Sequence, residues 1–394
     1  MTCAAERDSA NGETTRRDAR LVADGIRVGI LGAGQLGQML ALAGIPLGMR
    51  FKFFSPTASA SAEAVGTVVI GEYDDDAALR AFASSVDVVT YEFENVSANA
   101  LEVMQGSCPV WPPRVALVTS QDRGLEKQQC DRLGIPVAPY RLVESFSDLE
   151  AALREIGVPG ILKTCRFGYD GKGQIRVGAA AEAETAWHEL GPAPLVYEGL
   201  VSFRRELSVI AVRAVDGSTR CYPVTENHHR DGILRTSFAP ASELAESTQQ
   251  LAEEYARSLL GAFGYVGVFA VELFETASGL LVNEMAPRVH NSGHWTIEGA
   301  ETSQFENHMR AVCGLPLGSC DAVGTCAMIN IIGTHPDVAR LLAVPDVHVH
   351  LYGKSERPGR KLGHVTVRSR TRVELQHKIA ELRAIASIAA GIFD

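Results

Sequence analysis

Residues 268–285 read Val-Phe-Ala-Val-Glu-Leu-Phe-Glu-Thr-Ala-Ser-Gly-Leu-Leu-Val-Asn-Glu-Met. Two apolar runs, each carrying one acid, flank a short polar turn, so the stretch reads as a β-hairpin. A three-residue loop Ala277–Ser278–Gly279, with Gly279 left-handed, pairs Thr276 with Leu280 and sets Glu272 directly opposite Glu284. Opposed Cβ atoms lie ~5 Å apart, and like charges there repel. Two carboxylates in apolar strands must therefore share a proton or a cation. Oxygen ligands select a hard divalent ion, Mg²⁺ or Mn²⁺. Asn283 can add an oxygen only if the strand bends or ends there, because alternation turns it to the other face. The competing reading is an exposed edge hairpin with two surface acids, and the apolar flanks argue against it.

Upstream, Lys163 sits inside Gly160-Ile-Leu-Lys-Thr164. A lysine within a strand needs an anion or an exit to water. Phe167-Gly-Tyr-Asp-Gly-Lys-Gly173 follows, a loop with three glycines that is not a Walker A sequence. Alone it reads as a hairpin turn. With Lys163 and the two acids, it reads as a nucleoside triphosphate held by cation, lysine and backbone amides.

Gly32-Ala-Gly-Gln-Leu-Gly37 follows the strand Arg27–Leu31 and opens a helix near 38–43. Such a loop offers amides to an anion. A dinucleotide site also wants an acid about 20 residues on. Phe51-Lys-Phe-Phe-Ser-Pro56 supplies none, so a packing turn or another phosphate site competes with NAD. Strands near 51–54 and 86–90 alternate with helices, as in a parallel sheet. Pro-rich 108–113 reads as a boundary, and a polar helix near 122–133 follows. Strands near 160–164, 206–212, 268–274 and 280–284 read as α+β with antiparallel hairpins. Strands near 326–332 and 347–352 lead into a basic segment and a helix from about Val373.

The 394 residues suggest two or three domains. Apolar residues are 46% and charged residues 21%, enough for a core in each. The net charge of -10 and few aromatics disfavour nucleic acid. No apolar run is long enough for a membrane span. Eight scattered cysteines without a CxxC pair fit a reducing cytosol. Residues 1–25 read as a disordered tail. His290 and His294 lie four apart, but Gly293 argues against a helical zinc pair. His348 and His350 share a strand face and read as satisfied or exposed histidines before they read as a metal pair. Among the C-terminal cations, Gly359 between Arg357 and Arg360 favours a phosphate pocket over a solvated charge run.

These stretches together resemble the ATP-grasp superfamily, and within it the 5-(carboxyamino)imidazole ribonucleotide synthase family of purine biosynthesis. The matching segments are GILGAGQLGQM (29–39), TYEFENV (90–96), SQDRGLEKQ (120–128), KTCRFGYDGKGQ (163–174), YEGLVSFRRELSV (197–209), PVTENHHRDGILRTSFAPA (223–241), GYVGVFAVELF (264–274), LLVNEMAPRVHNSGHWTIEGAETSQFENHMRAV (280–312) and RPGRKLGHV (357–365). The resemblance implies an α/β and α+β chain. A Rossmann-like pre-ATP-grasp domain covers 26–120. An ATP-grasp domain covers 121–317, with a lid at about 145–200, and a small substrate-phosphate-binding domain covers 318–394. It also implies phosphorylation of bicarbonate by ATP and carboxylation of the amine of 5-aminoimidazole ribonucleotide, in a cytoplasmic homodimer.

Carried over by position, Arg123 and Lys163 contact ATP phosphates under a lid of Gly168, Tyr169, Asp170, Gly171, Lys172, Gly173 and Gln174. Glu198, Gly199, Leu200 and Val201 form the adenine hinge, Glu206 accepts the ribose hydroxyls, and His229 is a further ATP-site residue. Glu272 and Glu284 match the Mg²⁺ carboxylates, with Asn283 beside them. Arg288, His290 and Asn291 match the segment next to bicarbonate and the amine. Lys354 and Arg360 match the cations on the ribonucleotide phosphate. Tyr169, Asp170 and Glu92 or Glu94 are contacts to the imidazole ribonucleotide, which the glycine loop with Gly34, Gln35 and Leu36 faces. Cys165 stands where the family has arginine, and Gln38 where a basic residue is usual. A formate-using glycinamide ribonucleotide transformylase is the alternative within the superfamily, and the RPGRKLGHV ending argues against it. A silent nucleotide-binding regulator is the alternative outside the enzymes, and the full set of carboxylates and cations argues against that.

Overall fold

A computed structural model describes residues 25–168, 172–191 and 194–386. The reading of residues 1–24 as a tail, and the lid residues Tyr169, Asp170 and Gly171, lie outside them. The chain opens with β1 (Arg27–Leu31), β2 (Arg50–Ser55), β3 (Thr67–Ile70) and β4 (Val88–Tyr91), a parallel sheet in the order β3-β2-β1-β4. Buried apolar side chains on β1 and β2 pack against the helix Gln35–Gly44. This is the expected βαβ beginning, with β3 as an edge strand that its exposed Thr67 and Ile70 hid from sequence reading.

A four-stranded antiparallel sheet follows, β5-β8-β6-β7, built from β5 (Tyr140–Val143), β6 (Gly160–Thr164), β7 (Gln174–Val177) and β8 (Leu195–Gly199). The helix Phe146–Ile156 covers it, with Ser145 and Asp148 forming a reciprocal capping box.

The third sheet runs β14-β13-β9-β11-β12-β15-β17-β16, with β10 paired to β9. Its strands are β9 (Arg205–Arg213), β10 (Thr219–Cys221), β11 (Thr225–Arg230), β12 (Ile233–Ala239), β13 (Gly267–Thr276), β14 (Gly279–Ala286), β15 (Thr325–Ile332), β16 (Val347–Leu351) and β17 (Lys361–Ser369). It crosses residue 318 without a break, because β12 pairs with β15. Two cations of the basic segment, Lys361 and Arg368, lie on β17, whose residues are mostly buried between β15 and β16. No helix among the described residues is long and apolar enough to cross a membrane.

The hairpin also differs from expectation in its turn. The loop is two residues, Ala277 and Ser278, and Thr276 pairs with Gly279, whose φ is 129°. Continued regularly, that register would set Asn283 opposite Glu272. A bulge at Asn283 shifts the ladder by one residue, and Glu272 pairs with Glu284. The bend that Asn283 requires is this bulge.

Candidate active site

β13 and β9 pair Glu272 with Ser208 and Phe274 with Glu206, so these four residues share one face of the sheet. Glu284 joins them across the hairpin. Glu284 opens onto the cleft, yet the protein packed around it and the charge of Glu272 push its carboxyl up. Burial acts the same way on Glu272, but there the hydrogen bond from His290 and the nearby cations prevail and hold it down, at about 2. The pair thus splits into one firmly ionised acid and one reluctant one. A divalent cation relieves the repulsion. The donor set of two carboxylates and the Asn283 amide is the oxygen set that Mg²⁺ takes.

The cations expected at the ATP phosphates come from β6 and from the helix Arg123–Arg132. Lys163 Nζ lies 3.0 Å from Glu198 Oε2, and Lys127 Nζ lies 3.2 Å from Glu198 Oε1, all three side chains buried. Burial raises the Glu198 carboxyl, and the two lysines more than reverse it. Lys127 escaped the sequence reading because it lies on a polar helix, Arg123–Arg132, between Glu126 and Gln128. That helix starts at Asp122, whose Oδ1 accepts the Gly124 and Leu125 amides at 3.0 and 3.2 Å. Arg123 Nη1 donates to Thr164 O at 3.0 Å, which holds it beside Gly168 at the lid's base. Gln174 pairs with Lys163 across β6 and β7, and the Thr164 amide donates to Gly173 O; Lys172 lies on the same arm.

At the expected hinge, the Gly199 and Leu200 amides donate to Pro139 O and Pro159 O, and Val201 lies in the link to β9. The Glu198 side chain binds both lysines, a role added to the backbone one expected of it. Glu206 Oε2 and His229 Nδ1 are 2.6 Å apart, so the two predicted ATP-site residues meet. Phe203 stacks on Phe274 with centroids 4.6 Å apart, an apolar feature that sequence reasoning did not single out. Cys165 is buried and its thiol is pushed up to about 11, so it brings no charge. A cation stands one residue on, where Arg166 faces Asp122 at 3.7 Å.

On the other side, Arg288 forks onto Glu94, with Nη2 2.9 Å from Oε1. Burial raises Glu94, but Arg288 overrides it and holds the carboxyl at about 2. Glu92 is now separable from Glu94. It turns into the glycine loop, where Oε1 accepts the Gly34 amide and Oε2 the Gly37 amide at 2.6 Å. A carboxylate of the chain itself thus occupies the anion position that a dinucleotide would need. Gln35 Oε1 accepts from Lys354 Nζ at 2.6 Å, joining the loop to the C-terminal segment, and Leu36 packs against the apolar core below. Arg360 is near enough to Lys354 to lower its pKa further after burial does so. Arg360 Nη1 is held by Ser355.

His290 Nε2 lies 3.1 Å from Glu272 Oε1. The Asn291 amide is enclosed without a protein partner, the state of a group awaiting a ligand. Of the other histidines singled out from the sequence, His348 is exposed and the rest have partners. His350 faces Glu298 at 2.8 Å and stacks on His364, and His294 packs on Phe305.

The chain matches three domain families in succession. These are the ribonucleotide synthetase preATP-grasp domain over 26–121, the ATP-grasp domain over 128–305, and the phosphoribosylaminoimidazole carboxylase C-terminal domain over 326–378. This order, on this cleft, defines an ATP-grasp enzyme of the ribonucleotide synthetase type. N5-carboxyaminoimidazole ribonucleotide synthase of Pseudomonas aeruginosa is 49% identical over 360 residues, covering 91% of this chain and 99% of that protein. The Thermus thermophilus N5-carboxyaminoimidazole ribonucleotide synthetase crystal structure superposes with a TM-score of 0.88 at 50% identity, over 91% of this chain and 98% of that one. The Aspergillus clavatus enzyme, solved in complex with ADP and 5-aminoimidazole ribonucleotide, gives 0.86 at 33% identity, over 93% and 99%. The chain belongs to the N5-carboxyaminoimidazole ribonucleotide synthase family.

Proposed function

We propose that the chain carboxylates the exocyclic amine of 5-aminoimidazole ribonucleotide, consuming ATP and bicarbonate and releasing ADP and phosphate. The observation that carries this reading is a single wall. Glu272 and Glu284 oppose each other across a hairpin, Glu206 stands two residues along the same face, and His290 touches Glu272.

Lys163, Lys127 and Arg123 supply charge for the triphosphate, and Glu206 accepts from the ribose while His229 steadies it. Glu272 and Glu284, with Asn283, would hold Mg²⁺. Bound there, the ion neutralises charge on the transferring phosphoryl group. A bicarbonate oxygen attacks the γ-phosphorus and ADP leaves, giving carboxyphosphate. Arg288 and the Asn291 amide face the oxygens of that species. The amine nitrogen then bonds to its carbonyl carbon, phosphate leaves, and the nitrogen gives up a proton. Lys354 and Arg360 hold the ribonucleotide 5′-phosphate, with Gln35 orienting Lys354. Tyr169 and Asp170 are assigned to the imidazole ribonucleotide on the family resemblance, and Glu94 acts through Arg288. We place the enzyme in the cytoplasm as a homodimer on the family resemblance.

The test is ADP release in buffer stripped of carbon dioxide. The expected result is ADP only when both bicarbonate and the ribonucleotide are supplied. Equal ADP formation without either overturns the proposal.

A further inference from the structure

The His290 main chain is clamped by Gln304, whose Oε1 accepts the His290 amide at 2.9 Å while its Nε2 donates to His290 O at 2.7 Å. Its ring is held from both ends. Nε2 faces the Glu272 carboxylate at 3.1 Å. Nδ1 lies 2.8 Å from Ser292 Oγ and accepts the Ser292 backbone amide at 3.3 Å. A carboxylate can only accept and a backbone amide can only donate. Nδ1 is therefore the acceptor, and Nε2 carries the hydrogen.

From Ser292 a chain of hydrogen bonds runs inward through three strands. With its hydrogen on Nδ1, Ser292 Oγ accepts from Ser208 Oγ at 2.7 Å. Ser208 Oγ accepts from Asn227 Nδ2 at 3.0 Å. Asn227 Oδ1 accepts from Ser237 Oγ at 2.7 Å. All four residues are buried. Every hydroxyl hydrogen points toward His290, and the one group that cannot reverse by rotating a hydroxyl is the Asn227 amide. Burial of polar groups in the sheet requires only that they be paired. Pairing in one common direction, ending on a ring that touches the reaction centre, does more.

We propose that Ser237, Asn227, Ser208 and Ser292 are positioning residues that lock His290 as the tautomer donating Nε2–H to Glu272, with Asn227 setting the direction. This rests on the reading of Arg288, His290 and Asn291 as the segment beside the reacting groups. Asn227→Asp keeps the shape and removes the donor. Ser208 then gives its hydrogen to residue 227 and accepts from Ser292, so Ser292 Oγ turns a lone pair to Nδ1 and favours a hydrogen there over the 3.3 Å backbone contact.

The experiment is nitrogen-15 correlation of the imidazoles in the full chain, with His290 assigned by its loss in His290→Gln. The wild type is expected to show Nε2–H at His290, and Asn227→Asp to lose that signature. Its kcat should fall about 10- to 100-fold, the usual range for partners behind a site residue, with KM for ATP unmoved. Ser292→Ala, a second variant should the first fail to fold, leaves only the long backbone contact on Nδ1 and lowers kcat in the same range. An Nδ1–H tautomer in the wild type, or a folded Asn227→Asp with unchanged tautomer and kcat, overturns the proposal. Full turnover in His290→Gln instead overturns the reading of the segment.

Discussion

At the scale of single residues, the acids of the cleft owe their states to burial set against the charges packed beside them. Glu284 is the reluctant acid beside Glu272, so removing it relieves repulsion while deleting a cation ligand. Glu284→Ala should abolish bicarbonate-dependent ADP formation yet leave the thermal midpoint unchanged or higher. Steady-state kinetics and calorimetry on the same preparation check this, and retained turnover would contradict it. Glu94 is the opposite case, held at about 2 because Arg288 overrides its burial. A depressed carboxyl adds stability above its unfolded pKa of ~4.3, and that stability is lost as pH falls from there toward 2. Glu94→Gln should therefore weaken the fold by about 2 kcal/mol at neutral pH and flatten the loss in that acid window. Urea unfolding at pH 7, 4 and 3 measures both effects. Lys127 shows where residue-level reading stops. A lysine beside a glutamate on a polar helix reads as solvated, and only its packing against β8 turns it into a partner of Glu198.

At the scale of elements, the hairpin shows two departures from ideal geometry that correct each other. A two-residue loop alone misaligns the acids, and the Asn283 bulge realigns them. The opposition of Glu272 and Glu284 followed from counting residues. The loop length and the bulge did not, because either combination gives the same register beyond residue 283. Gly279 holds a φ of 129°, where only glycine rests comfortably, and no atom lies within 4 Å of where its Cβ would stand. Gly279→Ala should thus cost about 1–3 kcal/mol through the backbone alone. A lower urea midpoint with unchanged KM for ATP would bear this out, and an unaltered midpoint would refute it. Strand β17 makes the complementary point. Its lysine, histidine and arginine look like a solvated run, yet it lies between two partners in the sheet.

At the scale of the whole molecule, the proposed ribonucleotide site joins residues 319 positions apart, where Lys354 reaches Gln35 of the glycine loop. The cations proposed for the nucleotide lie on β6 and on the helix Arg123–Arg132. Lys354→Met should accordingly raise KM for the ribonucleotide about tenfold, as expected for one lost phosphate contact, and leave KM for ATP alone. A parallel rise in both would place Lys354 on the nucleotide side. Apolar spacing, glycine placement and the acids in apolar strands were enough to establish a parallel opening sheet, an antiparallel middle and an opposed carboxylate pair, since these depend on neighbours within a few residues. The capture of the glycine loop by Glu92, the Lys127–Glu198–Lys163 group and the hydroxyl chain behind His290 came from folding alone. Each joins segments far apart in the chain, and such contacts leave no local period or motif to read.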